Sequence, residues 1–131
     1  PSRLVGSEMC IRDRTITVKN GGNNEVWTRS EDHLEHGKWM DGSPPVRIPI
    51  NGEEEIKSEK QTGVAYGTTG WIKFVSNITP GNTLKIDWNK PYGTDGTTCT
   101  ADVIGDDFQA KVEDVDFQKS YAFCDVVITA K

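Results

Sequence analysis

Long apolar runs are missing from this chain: none of its 131 residues lies in a stretch of about 18 apolar positions, the length a membrane-crossing helix needs. A cationic excess is missing as well. Lys and Arg number 15 against 20 Asp and Glu, for a formal net charge of −5. Duplex-binding domains carry the opposite balance, so nucleic acid is a poor partner. Bulk attraction to anionic lipid is disfavoured on the same ground. There is no G-x-S-x-G elbow, no phosphate-cradling glycine loop and no H-E-x-x-H zinc motif. Chemistry that needs a positioned nucleophile or acid/base pair is therefore not expected, nor is a cofactor, and the protein reads as a non-enzyme.

Cysteine is scarce, with 3 in the chain. Cys10 belongs to an opening run, L-V-G-S-E-M-C-I-R-D-R, that resembles translated adapter sequence, and residues 1–14 are set aside as an expected non-native tail. The chain's own start then does not report on localisation, for which secretion or peripheral membrane attachment is the expectation. Cys99 and Cys124 both sit in strand-like runs. Buried free thiols are the favoured reading, since such cysteines behave as small hydrophobes. A disulfide between neighbouring strands is the alternative, in an oxidising compartment.

What the chain has in quantity is alternation broken by turns. Ile16 and Val18 alternate in Thr15 to Lys19, and Asn20-Gly21-Gly22-Asn23-Asn24 follows as a turn. Glu25 to Arg29 is the next strand. Residues 30–45 read as a charged loop punctuated by Gly37, Gly42 and Pro44-Pro45, with one helical turn at most, over Asp32 to His36. Val46, Ile48 and Ile50 alternate around Pro49, an edge-strand signature. Asn51-Gly52 then turns the chain into Glu55 to Lys60. Trp71 to Val75, Leu84 to Trp88, Thr97 to Ile104, Phe108 to Val112 and Tyr121 to Ala130 complete about eight short strands. This spacing predicts an all-β antiparallel sandwich occupying residues 15–131 as one domain.

Two segments are more informative than the rest: G-T-T-G-W-I-K-F-V at 67–75 and I-D-W-N-K-P-Y-G at 86–93. With I-T-V-K-N-G-G at 16–22 and H-G-K-W at 36–39, they resemble the aegerolysin family, whose members carry a G-T-x-G turn followed by a W-D-x-P-W-G-type segment. Here Asn89, Lys90 and Tyr92 stand where that family often has Asp, Cys and Trp. The resemblance implies a β-sandwich related to the sea-anemone cytolysins. It implies binding of membrane sphingolipid, in some cases with cholesterol. For some members it also implies pore formation alongside a larger perforin-like partner; a chain of this size would need such a partner, or oligomerisation on the lipid surface, to perforate a membrane.

Aromatic side chains are the natural instruments of such binding, because a Trp or Tyr ring can sit at headgroup level with its polar atom in water. The expected headgroup-contact set is Trp39, Tyr66, Trp71, Asp87, Trp88 and Tyr92. Core packing competes with this reading, most strongly for Trp71 and Trp88, which flank apolar strand residues; Trp39 and Tyr92 lie beside glycine and proline. A lectin-like sandwich is the alternative function, using the same rings with Asp87, Asn89 and Asp95 as hydroxyl partners. Two further clusters read as solvated polarity. Asp32-His33-Leu34-Glu35-His36 lacks zinc-ligand spacing, and Asp102, Asp106, Asp107, Glu113, Asp114 and Asp116 lack a calcium-loop pattern. The all-clear strands being shorter than the 9 to 11 residues a membrane barrel needs, unaided perforation is not expected.

Overall fold

Inward and outward positions alternate along nearly every strand, and that alternation builds two layers. The computed structural model describes residues 13–21, 24–40, 42–60, 67–91, 96–118 and 121–131. Ten strands run in chain order: β1 (Asp13–Asn20), β2 (Trp27–His36), β3 (Lys38–Trp39), β4 (Arg47–Ile48), β5 (Glu53–Glu59), β6 (Thr68–Ser76), β7 (Thr83–Lys90), β8 (Thr98–Ile104), β9 (Phe108–Phe117) and β10 (Tyr121–Ala130). They form two five-stranded sheets, ordered β3-β5-β1-β10-β9 and β4-β2-β6-β7-β8. All pairs are antiparallel except β1 with β10, which run parallel with Ile16 opposite Cys124 and Val18 opposite Val126. The fold is thus an all-β sandwich, with no helix among the described residues.

The core lies between the sheets. One sheet contributes Ile16, Val18, Ile56, Cys124, Val126 and Ile128, the other Ile48, Ile72, Phe74, Leu84, Ile86 and Trp88. Trp27 meets Phe108 edge-on, ring centres 5.3 Å apart, at one end of this layer. These aliphatic and aromatic side chains are removed from water almost completely, which supplies the main stabilising term.

Four sequence expectations change. Cys99 and Cys124 are joined in a disulfide, not free, and the bond ties β8 to β10 across the two layers rather than linking neighbours in one sheet, with Cα atoms 6.7 Å apart. Strand order in space, which spacing does not reveal, brings them together. The segment expected as a loop from residue 30 is strand as far as His36, and Asp32 to His36 is extended. It carries little apolar alternation because β4 covers it only at Trp27 and Thr28, so most of β2 is a solvated edge. Two register shifts, at Arg29/Glu31 and Leu34/His36, further blur its period. Gly70 is not a bend but lies within β6, where an added Cβ would overlap the His33 carbonyl oxygen and press on the Trp88 ring at 3.0 Å. Finally, β2, β9 and β10 each have 10 residues and β6 has 9, lengths that would suit a membrane barrel. What opposes such a role is commitment of apolar residues to the core: β6 gives Ile72 and Phe74 to the interior and Thr69 and Lys73 to the outside.

Candidate functional site

The residues expected to act together fall into three groups. Trp88 is in the core, only 2% exposed, and donates its indole N–H to Thr68 Oγ1 at 2.8 Å. That hydroxyl is 2.6 Å from Ser58 Oγ, so the polar edge of the ring is satisfied inside the sandwich. Trp39 packs edge-on against it at 5.8 Å, closing the core beneath β3. Trp88 is therefore corrected from a headgroup contact to a packing residue. Trp39 keeps a partly open side, where Lys38, Trp39, Met40, Lys57 and Glu59 line a shallow depression of about 370 Å³. Tyr66 and Tyr92, together with Asp95, lie outside the described residues.

Trp71 and Asp87 form the second group, and the fold does bring them together. Trp71 alternates with buried Gly70 and Ile72, so it faces outward from the second sheet, not into the core. Asp87 is its direct cross-strand partner on β7, and His33 its partner on β2. The His33 ring centre lies 5.9 Å from that of Trp71. The ammonium groups of Lys73 and Lys85 stand 5.3 and 5.6 Å from the Trp71 ring centre. Each lysine also faces a carboxylate, Glu31 at 4.0 Å and Asp87 at 3.7 Å. Asn89, two residues further along β7 and on the same face, accepts from Thr69 Oγ1 at 2.6 Å and donates to the Gly96 carbonyl at 3.0 Å. The result is an indole set in an open, charge-balanced lattice of donors and acceptors.

A third feature escaped the sequence reading. At the opposite end of the strands from Thr68, three turns each expose an isoleucine: Ile50 at 47%, Ile78 at 63% and Ile104 at 60%. Val46, which precedes β4 as Ile50 follows it, is also exposed. The turns are held by buried polar side chains. Asn20 donates to the Glu25 and Pro49 carbonyls at 2.6 and 2.9 Å. Glu25 accepts from the Thr79 backbone N–H at 2.9 Å and from the Ser76 hydroxyl. Asn82 donates to Asp107 Oδ2 at 2.9 Å and accepts from the Asp107 N–H at 3.4 Å, tying two turns to each other. A signal for this end exists in the chain: P-I-N-G, N-I-T-P-G and I-G-D-D each place an isoleucine among turn formers, where nothing in the alternation requires one.

Burial alone would push the Glu25 carboxyl up, yet the hydrogen bonds from Ser76, Thr79 and Ile78 outweigh it and hold the group below its ordinary range. Lys19 is raised by its hydrogen bond and charge pairing with Asp125, 3.1 Å away. Among the described residues no three His, Cys, Asp or Glu side chains gather as metal ligands would. No helix there is long and apolar enough to cross a membrane.

No protein-family model matches the chain, and no curated protein sequence matches it. Solved structures do. The lipid binding protein Nakanori superposes with a TM-score of 0.75 at 15% identity, covering 90% of this chain and 71% of that one. RahU protein, crystallised in complex with a TRIS molecule, gives a TM-score of 0.73 at 11% identity over 92% of this chain and 96% of that one. IP-1A from Alcaligenes faecalis gives 0.62 at 14% identity over 88% and 90%. At these identities the likeness is one of fold, an aegerolysin-like β-sandwich.

Proposed function

We propose that the protein binds membrane lipid of the sphingolipid type and catalyses no reaction, resting one end of the sandwich on the bilayer. The observation that carries this reading is the trio of exposed isoleucines on hydrogen-bonded turns at a single end. Fully burying an isoleucine side chain is worth about 1.5–3 kcal/mol, and these are about half exposed, so three tips contribute roughly 3–4 kcal/mol. That is weaker than one myristoyl chain, which itself anchors only marginally. A head-specific contact must therefore add to it. The net charge of −5, with Asp106 and Asp107 beside Ile104, points to zwitterionic or uncharged lipid, with or without cholesterol. The shared fold with a lipid-binding protein supports the same class.

Perforation, on this reading, belongs to a larger perforin-like partner recruited to the lipid-bound protein, because the strands' apolar faces are already spent on the core. The Cys99–Cys124 disulfide favours an oxidising location, outside the cytosol. Sedimentation with vesicles of sphingomyelin and cholesterol tests the proposal. Replacing Ile78→Ser and Ile104→Ser together should lower binding about tenfold or more; affinity equal to the parent protein's would overturn it. A lectin-like function is the second reading, favoured by one observation: Trp71 stands among Asp87, Asn89 and His33 on an open face, as sugar-binding rings do.

A further inference from the structure

The isoleucine end and the Trp71 face lie at different heights, and the difference constrains the ligand. Trp71 is five positions from Ser76, where β6 reaches the isoleucine end. At about 3.4 Å per residue this places the ring roughly 17 Å above that end. The polar layer of a bilayer is only about 6 Å deep on each side. A protein seated on Ile50, Ile78 and Ile104 thus holds Trp71 about 10 Å clear of phosphate-level chemistry, beyond the head of sphingomyelin. We infer that Trp71, Asp87, Asn89 and His33 form a binding platform for the neutral oligosaccharide of a glycosphingolipid whose ceramide lies beneath the isoleucine turns. The inference rests on the lipid reading above and names the head group that reading leaves open.

The chemistry of the face fits that head. Trp27 is fully buried, Trp88 nearly so, and Trp39 packs into the core, whereas Trp71 stands on an outward sheet position among polar neighbours. An indole face offers the C–H side of a pyranose a flat apolar partner, while Asp87 accepts from hydroxyls and Lys73, Lys85 and His33 donate to them. The two lysines above the ring are flexible stems that a sugar can displace sideways without unfolding anything. Along the lattice, Glu31, Lys73, Lys85 and Asp102 follow one another across β2, β6, β7 and β8, acid-base-base-acid. Such a balanced row gives an anionic sugar no advantage over a neutral one. The open sheet face suits a chain of linked sugars, not a small molecule that needs enclosure.

The test compares phosphatidylcholine–cholesterol vesicles doped equally with sphingomyelin or with globotetraosylceramide. The intact protein should bind the glycolipid vesicles about tenfold more tightly, the gain expected of one aromatic contact. Trp71→Ala, and independently Asp87→Asn, should erase that preference while leaving binding to sphingomyelin vesicles as it was. The Ile78→Ser, Ile104→Ser pair should weaken binding to both vesicle types alike and keep their ratio. Equal binding of the two vesicles by the intact protein, or a preference that survives both platform variants, overturns the inference while the lipid reading stands. Trp71-dependent binding of the free oligosaccharide with no vesicle bound at all overturns both, in favour of a lectin. Melting curves near the parent protein's for both platform variants exclude loss of fold as the cause.

Discussion

Replacing Arg14 should make the protein more stable. The Arg14 side chain is fully buried on the inner face of β1. One nitrogen donates to the Thr98 carbonyl, and the guanidinium lies 5.1 Å from the Phe117 ring centre, but Nε and Nη1 have no hydrogen-bond partner. Burial lowers its pKa well below the usual guanidinium range, to about 9. At 1.36 kcal/mol per unit, that shift corresponds to roughly 5 kcal/mol of disfavoured charge at neutral pH. Substitution also removes the Thr98 bond, about 1–1.5 kcal/mol, and the ring contact, about 1 kcal/mol. Arg14→Met, which keeps the length and flexibility of the side chain, should therefore gain about 2–3 kcal/mol. For a domain of this size the midpoint would rise by roughly 8–12 °C. Thermal melts followed by far-UV circular dichroism at pH 7, with Arg14→Lys as a charge-retaining control, read this directly. Because the folded pKa is depressed below the unfolded one, the penalty is complete below about pH 9, neutral pH included. A lower midpoint for Arg14→Met would refute the reasoning and show the guanidinium to be stabilising.

Cys99 and Cys124 enclose a loop with a sequence separation of 25, whose closure constrains the unfolded chain by about 3.5 kcal/mol. Cys99→Ala with Cys124→Ala, or reduction of the parent protein, should shift the urea midpoint by a corresponding amount; an unchanged midpoint would refute the cross-link's contribution. Glu25 has a lowered pKa, so its stabilisation is fully present above the ordinary glutamate range and is lost as pH falls through the lower folded value. Glu25→Gln should therefore melt lower at pH 7 and show a shallower loss of stability on acidification than the parent, measured by melting curves across that range.

Much of the sandwich was legible because inner and outer positions keep strict parity. Ile16 and Val18, Ile72 and Phe74, and Leu84 and Ile86 mark their buried faces in the chain itself. The same parity separates the two tryptophans that sequence reasoning grouped: Trp88 is in phase with Leu84 and Ile86, while Trp71 is out of phase with Ile72 and Phe74. Local aromatic character obscured that count. The strand over Glu31 to His36 was illegible for a different reason, since only Leu34 among these residues packs against the core, and one apolar position sets no period. Nor could the pairing of Cys99 with Cys124 be read locally, because it depends on which strands end up facing each other across the layers. The exposed isoleucines were each ordinary as single residues; only the strand order shows that their three turns share an end.

The parallel pair at the heart of the first sheet has a temporal consequence. β1 is flanked by β5 on one side and by β10, more than a hundred positions later, on the other. A ribosome must deliver almost the whole domain before that flank can be filled, and contacts so distant along the chain make assembly slow. Until then Ile16 and Val18 belong to a naked ribbon edge, open to association with other nascent polypeptides. Lesions in Cys124 to Ile128 should consequently reduce soluble yield in cells more than they reduce the melting temperature of the fraction that matures.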